Sequence, residues 1–263
     1  MQRSPRLQQR IKTNNCRDGI KKGHLCPAFR LRCPFYFVKS VQRKEESGFR
    51  MTTVILVRHG ESEANIQGVF AGHYNIPLTE KGHAQAEATA RFLSQYPIDK
   101  IYASDLRRAY CTAEHIAAKK DLPVISEPGL REINGGKWEA VPFRALAERF
   151  PEDYAHWCSN LAACRCPGGE SIAELLSRIR HTIEMLVAQN PGKMICLATH
   201  ATPIRVMKCI WEGWSLSEIA NIPWVSNASV SIVEYRERGA FRILCYGADS
   251  HLEGSRTALP DEI

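Results

Sequence analysis

Apolar and polar positions alternate along this chain in two periods. Short apolar runs at residues 53–57, Lys100–Ala103, Leu122–Ser126 and Met194–Ala198 read as strands, and longer stretches of 3.6-residue period lie between them. Thr79 is a plausible cap for a helix from Glu80 to about Gln95, with Ala84, Ala88, Phe92 and Leu93 on one face. Further helices are predicted from near Ser104 to about Lys119, from about Phe143 to Phe150, from about Ser171 to Ala188 and from about Pro203 to Trp211. Apolar residues at 172, 175, 176, 179, 183, 186 and 187 give the fourth of these a broad stripe that should pack on a sheet. Residues 127–141 read as loop. Val230–Tyr235 and Phe241–Tyr246 suggest a C-terminal hairpin around Glu237-Arg238-Gly239. Strands alternating with helices predict a three-layer α/β/α fold on a mostly parallel central sheet, closed by that antiparallel hairpin.

Charge divides the chain. Residues 1–50 carry 13 Lys and Arg against 3 Asp and Glu, whereas residues 51–263 carry 22 against 25. The leader has no sustained apolar region of the secretory kind and few serines for a transit peptide. A tail for nucleic acid or an anionic membrane is another reading of its charge. We read it as a disordered or non-native extension and place the domain at residues 51–263. The mildly acidic body shows no nucleic-acid-binding face, and no apolar run approaches a membrane span.

Ten cysteines form no paired Cys-x-x-Cys knuckles. His156, Cys158, Cys164 and Cys166 lie close together, but their spacing fits no common zinc module, so reduced thiols in the cytoplasm are the expectation, with no metal and no cofactor. Cys111, Cys196, Cys209 and Cys245 fall in helix and strand patterns and read as small core fillers.

The chemistry is concentrated where the first strand ends. Val54-Ile55-Leu56-Val57 runs into Arg58-His59-Gly60, which delivers a cation and an imidazole to the carboxyl end of a strand. Gly60 then permits a sharp turn or a close approach to a ligand. Arginine beside a histidine nucleophile suggests phosphoryl chemistry. A second arginine, Arg108 with Arg107 as its neighbouring alternative, sits where a helix begins and free N–H groups favour an anion.

The string Arg58-His59-Gly60-Glu61-Ser62, with Asn65, resembles the signature of the histidine phosphatase, or phosphoglycerate mutase-like, superfamily. Four further segments are similar to that family in the same order. They are Gly68 to Gln85, Ser104-Asp105-Leu106-Arg107-Arg108-Ala109 with Thr112-Ala113, Leu130-Arg131-Glu132-Ile133 with Trp138-Glu139, and Thr199-His200. The resemblance covers nearly all of residues 51–263 and none of 1–50. It implies a phosphoglycerate mutase-like fold and a phosphomonoesterase that works through a phosphohistidine. It assigns His59 as nucleophile, His200 as its partner on the phosphoryl group, Arg58, Arg108 and Asn65 as phosphate ligands, and Glu132 as general acid, with Glu61 and Glu80 as rivals. In one branch the acid directly follows the second histidine; here Ala201-Thr202 stands there, which points back to Glu132. Gly72, His73 and Glu170 are candidate substrate contacts, the last from a loop that caps a helix. His83, His115 and His181 read as surface or packing residues.

Two departures bear on specificity. Ala71 stands where many members carry Ser or Gln, and the stretch between Glu132 and His200 is short for a mutase. Both the short stretch and Trp138-Glu139 favour a phosphatase of the generic bacterial kind, similar to α-ribazole phosphatase. Small phosphorylated metabolites such as α-ribazole phosphate or a sugar phosphate are the expected substrates, and a homodimer is allowed. The alternatives are mutase-type phosphoryl transfer and a non-catalytic phospholigand-binding protein.

Overall fold

The computed structural model describes residues 50–236 and 239–257; the expectation for the basic leader falls on residues outside this range. Six strands make one sheet in the order β3-β2-β4-β1-β5-β6. Strands β1 (Thr52–Arg58), β2 (Lys100–Ala103), β3 (Val124–Ser126) and β4 (Met194–Thr199) pair in parallel. β5 (Val230–Tyr235) pairs antiparallel with β1 and β6 (Phe241–Ala248) antiparallel with β5, as the alternation of the last two strands predicts.

The pleat of the central strands sets the layers. Val54 and Leu56 of β1, Tyr102 of β2 and Ile195 and Leu197 of β4 share a core cluster with Ile179, Ile183 and Leu186 of α6 (Ile172–Ala188) and Ile204 and Val206 of α7 (Ala201–Glu212). The intervening residues Ile55, Val57, Ile101, Ala103, Cys196 and Ala198 are equally buried and point to the other face. There α2 (Glu80–Leu93) packs on α3 (Arg107–Lys120), which also lies against β2 and β4. Their buried residues are largely small, Ala86, Ala90, Ala109 and Ala113 among them, which lets the helices approach closely. The result is the three-layer α/β/α arrangement.

Three local differences from the sequence reading have plain causes. The loop after β1 contains a one-turn helix, α1 (Glu63–Gln67), that ends on Gly68 in the left-handed region. The segment with Trp157 is a helix, α5 (Pro151–Ser159), opened by proline at its first position directly after α4 (Phe143–Arg149). The third helix starts at Arg107 rather than near Ser104, because Ser104 to Leu106 form the turn off β2 and Asn75 Oδ1 accepts from the Arg107 N–H. Cys196 and Cys209 are buried as expected, whereas Cys111 and Cys245 are half-buried.

The strand order decides where chemistry can occur. β1 and β4 are parallel neighbours in the middle of the sheet, with Arg58 opposite Thr199. The next residues, His59 and His200, therefore emerge side by side at the carboxyl edge, where open α/β sheets hold ligands.

Candidate active site

The His59 and His200 rings lie with centroids 5.1 Å apart. That is close to the ~4.8 Å spacing of neighbouring strands. The His59 backbone is fixed by its N–H to Thr199 O (3.0 Å) and by the Ala228 N–H to its own carbonyl (3.1 Å). Its Nδ1 lies 2.7 Å from Gly60 O. A carbonyl can only accept, so Nδ1 carries the proton and Nε2 keeps its lone pair while the ring is neutral. The ring is kept neutral by burial first and then by Arg108 and Arg58, which hold His59 well below the ordinary histidine value. Burial and the neighbouring Arg108 and His59 act in the same direction on His200.

Gly60 is required for a reason the strand-end motif left open. A Cβ there would fall 2.4 Å from Gly82 O, and one on Gly82 would fall 1.9 Å from Glu61 O. The close approach is between the turn after β1 and the first turn of α2. Thr79 caps that helix by accepting from the Gly82 N–H (2.9 Å).

Both arginines are buried and held by main-chain oxygens. Arg58 Nη1 donates to Val225 O (2.6 Å), and Arg108 donates to Tyr74 O (3.0 Å) and Gly72 O (2.7 Å). Burial draws both down to about 10, against the pull of the Glu132 carboxylate, and leaves them charged at neutral pH. The Nε of each arginine and the Nδ1 of His200 are buried with no partner among the described residues. Unsatisfied buried donors of this kind are costly. The remaining ring nitrogen of His200 lies 2.8 Å from Ser104 Oγ.

Asn65 is oriented by three donors on one atom. Ser62 N–H (3.0 Å), Ser62 Oγ (3.0 Å) and Asn227 Nδ2 (3.2 Å) all reach its Oδ1, so the Nδ2 end of the amide is the one left over. Asn227 also donates to the carbonyls of His59 (3.1 Å) and Gly60 (3.2 Å). It is a structural member of the site that no motif revealed.

Glu132 is held by backbone donors, Oε1 by the Ile133 N–H (2.8 Å) and Oε2 by the Thr202 N–H at the start of α7 (3.3 Å). Its segment is clamped from beneath. Arg178 donates to the carbonyls of Gly129, Arg131 and Glu132 at 2.9, 3.0 and 3.0 Å, and Thr199 Oγ1 donates to Leu130 O (2.7 Å). Arg178 sits on the stripe-bearing helix and reads in sequence as one more solvated charge.

Arg58, His59, Asn65, Gly72, Arg108 and Glu132 line one open cavity, together with Ser62, Ala71, Thr202 and a set of apolar side chains. Three candidates are not among its lining residues: His200, which is fully buried beside the His59 ring, Glu170 and His73. Glu170 is taken by a bidentate pair with Arg178 and by the Asn134 N–H. His73 donates from Nε2 to Glu132 O (2.9 Å), so it supports the Glu132 backbone instead of lining the cavity. Of the rivals, Arg107 and Glu80 are exposed. Burial pushes Glu61 up, but hydrogen bonds from Thr257, Lys81 and Thr79 outweigh it and hold the group below the ordinary carboxylate value. His156, Cys158, Cys164 and Cys166 do not gather into a metal-binding cluster; none exists among the described residues.

The geometry can now be compared with known proteins. The family described as the histidine phosphatase superfamily (branch 1) matches residues 54–249. Phosphoserine phosphatase 1 of Hydrogenobacter thermophilus is 33% identical over 210 residues, 78% of this chain and 99% of that protein. The adenosylcobalamin/alpha-ribazole phosphatase of Salmonella typhimurium is 35% identical over 145 residues, 55% of this chain and 72% of its own length. Among solved structures, Bacillus stearothermophilus YhfR superposes with a TM-score of 0.73 at 26% identity, covering 76% of this chain and 99% of that one. The mycobacterial glucosyl-3-phosphoglycerate phosphatase gives 0.70 at 25%, covering 76% and 100%. With the two histidines, two buried arginines and a carboxylate meeting at the carboxyl edge of the sheet, the chain belongs to the histidine phosphatase superfamily and is a phosphatase of its first branch.

Proposed function

We propose that the protein is a metal-independent phosphomonoesterase that acts through a phosphohistidine on His59. The observation that carries this is the His59 ring itself. It is buried, neutral, fixed through Nδ1, and presents Nε2 in a cavity lined by two buried guanidinium groups.

A phosphomonoester dianion entering this cavity gives Arg58, Arg108, Asn65 Nδ2 and His200 the partners they lack. Nε2 of His59 attacks phosphorus in line, and the P–O bond to the alcohol breaks. The two arginines and His200 stabilise the charge on the equatorial oxygens as the transition state forms. Glu132 gives its proton to the departing oxygen. In the second half it takes a proton from water, which attacks the phosphohistidine and releases phosphate and free His59. Ser104 and Thr199 set the positions of His200 and of the Glu132 segment.

Small phosphorylated metabolites are the substrates in this reading. The relatives named for phosphoserine, α-ribazole and glucosyl-3-phosphoglycerate phosphatases all take such compounds. Phosphate release from an alkyl phosphate, measured with and without EDTA for wild type and His59→Ala, tests the proposal. The expected result is EDTA-resistant release that disappears in His59→Ala, with acid-labile phosphate on the wild-type protein after a rapid quench. Release that persists in His59→Ala overturns it.

A further inference from the structure

The cavity has two chemically distinct ends. Its charged lining residues among those described are Arg58, Arg108 and Glu132, all of them spent on the phosphoryl group in the reading above, on which this inference rests. The rest of the wall is dominated by Val69, Phe70, Ile133, Phe143, Trp157 and Trp224. A substrate carboxylate or ammonium would meet no further counter-ion in this lining.

The aromatic side chains form a braced wall. Phe70 stands edge-on to Trp157, with centroids 5.1 Å apart, and lies 5.7 Å from Phe143. Trp157 is stacked near Trp224 at 6.5 Å and 30°. Trp224 is held in turn by Arg205, whose guanidinium carbon lies 4.2 Å from the ring centroid while its Nε donates to Ile222 O (2.8 Å). The wall is also tied to the phosphoryl end through the chain. Trp224 directly precedes Val225, whose carbonyl holds Arg58, and Phe70 lies two residues before Gly72, whose carbonyl holds Arg108. The aromatic groups and the anion-binding cations are thus fixed relative to one another.

We propose that this wall is a subsite for the alcohol part of the substrate, and that it selects phosphomonoesters of uncharged alcohols bearing an aromatic or planar apolar ring over those bearing a carboxylate. A ring offered to these faces gains apolar burial and aromatic contact. A carboxylate there loses hydration with nothing to replace it.

Non-hydrolysable phosphonates separate this inference from the catalytic one, because they report binding alone. Calorimetry on the full-length protein would compare 3-phenylpropylphosphonate, propylphosphonate and 2-amino-4-phosphonobutyrate, the last an isostere of phosphoserine. The expected order is phenylpropyl tighter than propyl by at least tenfold, with the amino acid phosphonate weakest. In Trp224→Ala, and separately in Phe143→Ala, the phenylpropyl-to-propyl ratio should fall toward one. Both residues are only partly buried, so these variants spare the packed Trp157. Equal affinities for the phenylpropyl and propyl compounds, tighter binding of the amino acid phosphonate, or a ratio untouched by both variants would overturn the subsite. Selective phosphonate binding without hydrolysis of any phosphate would uphold the subsite and reject the phosphatase mechanism.

Discussion

Stability should fall between pH 7.5 and 5.5 because two histidines are buried in the neutral form. His59 and His200 are both held well below the ordinary value of 6.5, with burial as the leading cause. A group whose folded value is depressed binds its proton more readily in the unfolded chain. Its contribution is complete above the unfolded value and is lost as the pH drops through it. At pH 5.5 an unfolded histidine of ordinary pKa is about 90% protonated, which favours unfolding by about 1 kcal/mol while the folded ring remains neutral. Two such rings give about 2–3 kcal/mol. His251, whose Nε2 lies 3.1 Å from Ala228 O, is shifted in the same direction by burial and adds to the loss. Carboxylates held low in the fold, among them Asp105 beside Arg131, act in a separate window below their ordinary values of 3.8 to 4.5. Urea unfolding at half-unit pH steps in a phosphate-free buffer measures the effect, since bound phosphate would stabilise the native state by mass action. His59→Gln and His200→Gln should each remove about 1 kcal/mol of the drop, and the double variant most of it. A flat wild-type profile from pH 7.5 to 5.5, or an undiminished drop in the double variant, would show that these rings are not neutral in the fold. The nucleophile assignment would then lose its physical basis.

Three further outcomes are expected. Glu132→Gln should lower kcat for an alkyl phosphate by about 10²–10⁴-fold and cost far less with 4-nitrophenyl phosphate, whose leaving oxygen needs no acid; equal losses in steady-state assays would remove Glu132 from that role. Arg178→Met should show the same leaving-group signature at about tenfold, because Arg178 acts by holding the Glu132 carbonyl and pairing with Glu170; a uniform loss across leaving groups would mark it as purely structural. Gly82→Ala should destabilise by about 2 kcal/mol despite alanine's better helix propensity, since the new Cβ would sit 1.9 Å from Glu61 O; a raised urea midpoint would contradict that packing.

What the chain discloses in advance, and what it conceals, follows from the range of each interaction. Arg58 and His59 were readable because a buried strand and its exit are local events, and Arg108 because a helix start is equally local. His200 needed only a second strand end. The pairing of β1 with β4 then made the two histidines neighbours. Arg178 and Asn227 left no such trace. Arg178 meets Glu132 across 46 positions and Asn227 meets His59 across 168, so nothing near either residue marks it. The same blindness misplaced Glu170, which is polar and close to a glycine turn but is claimed by Arg178 eight residues later.

The aromatic wall shows the limit from the other side. Phe70, Phe143, Trp157 and Trp224 come from four separate segments, and no local pattern in any of these stretches joins them. The helix bearing Trp157 carries little local signal, because its nine residues open on a proline and bury only Trp157. The reacting end of a phosphatase is specified by residues that elements must present at their ends, so it is written in contiguous motifs. The end that meets the alcohol requires only that apolar side chains converge, and many combinations of positions satisfy that. Chemistry was therefore legible before folding was known, whereas the choice of substrate became arguable only once the four segments were seen around one cavity.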